Sequence, residues 1–338
     1  MAKKNRGPSG RPPSQRRNDR EKLLEGPELQ AELRKYDRIL AQRPHDAIAL
    51  SLRALHLGLA NRWGEALRDV ELAVGLVAHG DPAELDVLAL RAMVRRELGQ
   101  LEGALSDLNQ LAILKLRPPV LAARGEIHRR LGELGAARAD LDRSLGLSVT
   151  DPFTYVVRGR ISMMEGRPEA ALPDYDAAQR LDPDDISVFH HRARARRALG
   201  DHAGARADWD AALKIARQRL ARDPDNTKAR NWIAWIWAEE LRENLPEALD
   251  LVEQIRALAV DFDRRPDFLE PLGRIQYRLG HLHEALRLLE QAHALCPLDV
   301  DMQARLAEVR KAVRDAESAD RRDIAGTASE ANDSEDSS

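Results

Sequence analysis

Residues 151–181 read DPFTYVVRGRISMMEGRPEAALPDYDAAQRL, and residues 182–216 say nearly the same thing again as DPDDISVFHHRARARRALGDHAGARADWDAALKIA. Gly166 and Gly200, Ala171 and Ala205, Tyr175 and Trp209, and Ala178 and Ala212 each stand 34 residues apart. A fixed period of that size marks an array of stacked units rather than a domain with one central core. Such an array displays surface rather than a reaction, so the period decides architecture before it decides role.

Three marks carry the frame outward from this stretch. A small residue sits midway through a first helix: Ala54, Ala92, Gly125, Gly159, Ala193, Ala234 and Gly273. A turn residue follows: Gly99, Gly132, Gly166, Gly200 and Gly280, with Asn61 in the first unit, suiting a left-handed position at a helix C-terminus. An alanine then opens the second helix at Ala66, Ala104, Ala137, Ala171, Ala205, Ala248 and Ala285, at intervals of 38, 33, 34, 34, 43 and 37. Small residues on both helices let the pair approach closely, and the bulky residue four places on (Val70, Leu108, Leu141, Tyr175, Trp209, Val252, Leu289) fills the seam. Asp-Pro and Pro pairs punctuate the units at Asp81-Pro82, Pro118-Pro119, Asp151-Pro152, Asp182-Pro183 and Asp223-Pro224, with Pro266 and Pro297 doing the same later. The long interval has two sources: a second helix extended by seven residues to Leu220, and two extra residues between Glu239 and Leu245.

Composition fits helices. Leu, Ala, Arg and Glu dominate, aromatics are only 4%, and β-branched residues are sparse. The net charge of −3 hides an asymmetry: residues 1–22 carry eight basic and two acidic side chains, while residues 314–338 carry three basic and eight acidic. Both ends are expected to be disordered tails, 1–26 basic and 314–338 acidic, around a superhelical domain at 27–313. That domain opens with half a unit from Pro27 and closes with a capping helix over Val300–Val313. A single cysteine, Cys296, allows no internal disulfide and no thiolate pair for zinc. No apolar run follows the basic N-terminus, and the most apolar stretch, Trp232–Leu241, is too short to span a bilayer, so a cytoplasmic location is expected.

These marks resemble the tetratricopeptide repeat, a 34-residue helix-turn-helix unit, over residues 28–312. Leu272-Gly273, Gly280, Ala285, Leu289, Ala292 and Pro297 form the best single match, while the tyrosine usual in the first helix is replaced by Arg95, His128, Ser162, Arg196 and Gln276. The resemblance implies an all-α, right-handed α-solenoid of about seven helical hairpins, whose concave groove binds peptides or protein segments. Groove positions taken from it are apolar in the first two pairs (Ile48, Ser51, Leu55, Ala89, Met93) and basic in the middle. The candidate groove residues are Arg129, Arg130, Arg160, His190, Arg194, Arg197, Lys228, Asn231, Trp235, Arg274 and Tyr277, with Glu126 opposing. Arg suits bidentate recognition of carboxylates, and Trp, Tyr and Arg are favoured interface anchors. An acidic, partly apolar segment is therefore the expected ligand, and the acidic tail is a candidate for lying in the same groove.

Catalytic chemistry is not expected. The chain carries no Gly-rich phosphate loop, and His281, His283 and His293 have no carboxylate or cysteine at metal-ligand spacing. No cofactor or metal is expected, and no small-molecule substrate is evident. The reading is a noncatalytic protein-interaction scaffold or adaptor. Two alternatives remain: a nucleic-acid or ribosome-associated factor acting through the basic N-terminus, and a regulatory subunit of an enzyme complex. Nucleic acid is the weaker of these, since eight cations without aromatics offer no sequence readout.

Overall fold

The computed structural model describes residues 27–60, 62–258 and 262–335, with backbone alone for residues 27, 28, 264 and 320–335. The basic segment 1–26 and Asn61 lie outside the described residues, and with them the N-terminal tail expectation. Among the described residues every regular element is helical. A leading helix α1 (Pro27–Gln42) is followed by seven antiparallel pairs: α2 (Ala47–Leu59) with α3 (Trp63–Leu76), α4 (Pro82–Glu97) with α5 (Leu101–Leu114), α6 (Pro118–Arg130) with α7 (Leu134–Leu147), and α8 (Pro152–Met164) with α9 (Pro168–Leu181). The others are α10 (Ile186–Ala198) with α11 (His202–Arg222), α12 (Thr227–Trp235) with α13 (Leu245–Leu258), and α14 (Pro266–Arg278) with α15 (Leu282–Leu295); α16 (Val300–Glu335) closes the array. Each helix packs on its neighbours in sequence.

The sequence marks fall where the frame requires. All seven opening alanines, Ala66 through Ala285, are 0% exposed. The turn glycines Gly99, Gly132, Gly166, Gly200 and Gly280 hold φ between 70° and 84°, a region an L side chain adopts only with strain. Close approach explains the small residue of the first helix: a Cβ on Gly159 would stand 2.6 Å from the Tyr175 ring. Ala171→Leu is accordingly expected to lower stability by about 1–3 kcal/mol through overpacking, readable in a denaturant melt. An unchanged midpoint would mean that the helix faces are wrongly assigned.

Caps differ in detail from the sequence expectation. Asp81 and Asp151 do accept from the first backbone N–H groups of α4 and α8, beside the proline. Asp182-Pro183 and Asp223-Pro224 instead lie in the preceding turns, and Asp185 and Asn226 make the caps. The expected extension is present, since α11 runs 21 residues where α9 runs 14. The extra residues of the sixth pair are absorbed by a π-helical turn, Ile236–Leu241, ended by Arg242 and Asn244 at φ 55° and 53°. A wide turn of this kind accommodates an insertion without breaking the helix.

From Val300 to Glu335 α16 is continuous, because its Ala-, Glu- and Arg-rich sequence contains no proline to stop it. Met302, Leu306, Val309 and Val313 are buried against the last pair, and Arg314 and Asp315 beyond them are exposed.

Candidate functional site

Two features that no single unit announces shape the array. The first is a ladder of buried ion pairs. Arg53, Arg91, Arg124, Arg158 and Arg192 each sit one place before the small residue and reach forward 16 residues to Asp69, Asp107, Asp140, Asp174 and Asp208. Each pair is bidentate, as in Arg192 Nε and Nη2 donating to Asp208 at 3.0 and 2.7 Å. Three of the five also reach back 16 residues to the preceding unit, Arg53 to Asp37, Arg158 to Asp142 and Arg192 to Asp176, at 2.8–2.9 Å. Arg95 and Arg196, two of the residues replacing the consensus tyrosine, add a third contact by donating to Asp107 and Asp208 at 3.0 and 2.9 Å. In the last two pairs Ile233 and Leu272 stand where the arginine does, and Leu251 and Leu288 where the aspartate does.

The second feature is closure. The corner between α15 and α16 reaches across the groove to α4, α6 and α8. Arg130 Nε donates to Asp299 at 2.7 Å, and Arg129 and Arg160 donate to Asp301 at 2.9 and 3.2 Å. Cys296 sits so close to the turn after α4 that a Cβ on Gly99 would come within 2.5 Å of it. Burial pushes the Cys296 thiol up to about 12, which keeps it protonated. Glu126 binds Arg129 from the other side, at 2.8 and 3.0 Å. Burial acts to raise the Asp301 carboxyl, but Arg129, Arg160 and Arg305 outweigh it and hold the group at about 2. Glu126 is held at about 2 by Arg160 and Arg129 in the same way, against its burial.

Closure changes the standing of several expected groove residues. Arg129 is 2% exposed, and with Arg130 and Arg160 it serves the chain's own carboxylates rather than an open groove. Arg274 is likewise only 5% exposed, fixed between Glu239 and Glu308 at 2.7 Å each. His190 is buried and adds no positive charge: burial first, then Arg194, Arg305 and Arg160, hold its ring well below the usual histidine range. Lys228 is exposed and lines neither concave cavity, and Tyr277 lies under Arg274 and Arg278.

The remaining residues gather around two adjoining cavities. The first, about 550 Å³, is bordered by Arg129, Arg160, His190, Arg194, Asn231 and Trp235, and also by Met163, Tyr175, Trp232 and Arg305. The second, about 650 Å³, shares Arg194, Trp235 and Arg305 and adds Arg197, Arg242, Arg278 and the π-turn carboxylates Glu239 and Glu240. Arg197 donates to Glu240 across 2.8 Å and lies over the Trp209 ring, while Arg194 stands 3.7 Å from the same carboxylate. Burial pushes the Glu240 carboxyl up despite both arginines. Arg194 and Arg197 keep side-chain exposures of 45% and 40%. Arg305, Arg242 and Trp232 had not been placed by the sequence. Arg305 belongs to α16, whose return across the groove has no local signal. Among the described residues no group of His, Cys, Asp and Glu has the arrangement of a metal site, and no helix is long and apolar enough to cross a membrane.

No family model matches the sequence, and no curated protein matches it. Among solved structures the chain is similar to one in the Cut9–Hcn1 hetero-tetramer of the APC/C, with a TM-score of 0.53 at 16% identity, over 83% of this chain and 53% of that one. A tetratricopeptide repeat protein from Parabacteroides merdae gives 0.45 at 14% identity over 78% and 98% of the two chains. A thermophilic TPR protein of Thermus thermophilus gives 0.43 at 20% identity over 57% and 98%.

Proposed function

Starting from a chain with the tetratricopeptide-repeat fold, we propose that it is a noncatalytic interaction scaffold that takes an acidic, aromatic-containing protein segment into its second concave cavity. One observation carries the reading. Arg194 and Arg197 share the single buried carboxylate of Glu240, so two half-exposed guanidinium groups hold more positive charge than their neighbour offsets. Arg242 and Arg305 border the same space, and Trp235 supplies an aromatic face beneath Arg305 at 5.4 Å. A planar donor fork beside a tryptophan suits a carboxylate followed by a ring. The basic wall formed by Arg129, Arg130 and Arg160 is left out of this reading, because Asp299 and Asp301 engage it.

Arg194→Glu with Arg197→Glu is the test. Loss of two charge-assisted contacts is expected to weaken binding of a fluorescent Asp/Glu/Trp peptide by roughly tenfold to a hundredfold. Affinity purification followed by mass spectrometry from the source lysate should lose the same partners. Unchanged peptide affinity and an unchanged partner set would remove the acidic-segment reading.

A further inference from the structure

Three side chains that line the first cavity each carry a buried polar atom without a protein hydrogen-bond partner: the Tyr175 hydroxyl, His190 Nδ1 and Asn231 Oδ1. Tyr175 is 0% exposed and His190 3%. Leaving a buried polar group unpaired is unfavourable, and native chains carry few such groups. Three bordering one cavity therefore mark a place shaped for something other than its own side chains. They stand along a continuous wall of rings. Tyr175 stacks on His191 at 6.0 Å, His191 meets His190 at 5.1 Å, and His190 meets Trp232 at 5.4 Å.

The chemistry of the missing partner follows from these groups. The Asn231 side-chain nitrogen already donates to the Asp267 carbonyl at 3.2 Å, which leaves Oδ1 as an acceptor. A ligand N–H or O–H is the group that answers it. Among the described residues no hydrogen bond uses the Arg194 guanidinium, whose nearest carboxylate is 3.7 Å away, so an anion answers that one. Trp232, Trp235 and Met163 offer flat apolar surface between them. The volume of about 550 Å³ lies within the roughly 300–1,000 Å³ of small-molecule sites.

We propose that this cavity binds a small aromatic anion, a flat ring carrying one carboxylate or phosphate at Arg194 and an N–H or O–H donor toward Asn231 Oδ1. The two cavities share Arg194, Trp235 and Arg305, but Tyr175, His190 and Met163 border only the first of them and Arg197 only the second. Calorimetric titration of the full chain with indoleacetate and with indoxyl phosphate tests it, the two probes differing in the anion they present. Saturable binding of at least one probe is expected, and the stronger of the two identifies the anion. Met163→Trp, which fills the cavity, should abolish binding, and Tyr175→Phe should weaken it roughly threefold to tenfold through one lost hydrogen bond. Arg197→Glu alone, outside this cavity, should weaken the acidic peptide and leave the two probes unchanged, so the two readings fail separately. The proposal is overturned if neither probe binds, which would mean a cavity holding solvent only, or if binding survives Met163→Trp with an unchanged melt. Should that variant not fold, an unaltered affinity in Tyr175→Phe overturns it equally.

Discussion

Asp208→Ala is expected to destabilise the fold by about 3–5 kcal/mol, the range for a buried ion pair that loses one partner. Asp208 is 4% exposed and receives three donors, two from Arg192 and one from Arg196. Removing it leaves the Arg192 guanidinium, with an 11% exposed side chain, held only by Asp176 of the preceding unit. The informative comparison is the double variant Arg192→Leu with Asp208→Leu. Replacing both charges by apolar groups removes the desolvation penalty together with the attraction, and such swaps are often neutral or stabilising. The chain has already performed this exchange, because Leu272 and Leu288 occupy the same two positions in the last pair. The double variant is therefore expected to recover most of the loss in a urea melt. If it is as unstable as Asp208→Ala, the ladder holds the units by more than charge compensation.

Asp299→Arg with Asp301→Arg is expected to open the array. Both substitutions place a cation against Arg129, Arg130 and Arg160, of which Arg129 is 2% exposed and cannot move to water while the corner stays seated. Small-angle scattering should show a larger radius of gyration, with circular dichroism unchanged because every helix survives. An unchanged radius would show that the packing of Cys296 on Gly99 and of Val300 on Gly132 keeps the ends together without the ion pairs. Acid gives a second reading of the same joint. The folded Asp301 and Glu126 carboxyls sit at about 2, below their unfolded values, so the stability they contribute is fully present above about pH 4.5 and is lost as pH falls toward 2. Opening on acidification is expected in that window.

The solenoid was legible in the sequence because its marks are local. Small residue, turn glycine and opening alanine each report on contacts within one hairpin, and the 34-residue spacing of Ala171 and Ala205 repeats them in register. The ion ladder was legible in principle, since Arg158 and Asp174 keep the spacing of Arg192 and Asp208. It was missed because arginine is common throughout the chain, so only the constant 16-residue offset separates these five from solvated ones. Closure was not legible. Whether Asp301 meets Arg129 depends on curvature summed over four intervening units, including the long α11 and the π turn. That sum turned Arg129, Arg130 and Arg160 from expected ligand contacts into internal supports, and it brought Arg305 to the cavities.

Closure also alters how the molecule should come apart. In an open array each unit is held only by its neighbours, so both termini fray and loss spreads inward from either. Here the last pair is tied to the second, third and fourth, and the C-terminal units have no free boundary from which unravelling can start. Amide exchange is then expected to be fastest in α1 to α3, with α4 to α15 opening together as one cooperative block. Kinetically this behaves as a loop fastened by a clasp of three arginines and two aspartates, in which the clasp must release before any unit behind it can leave.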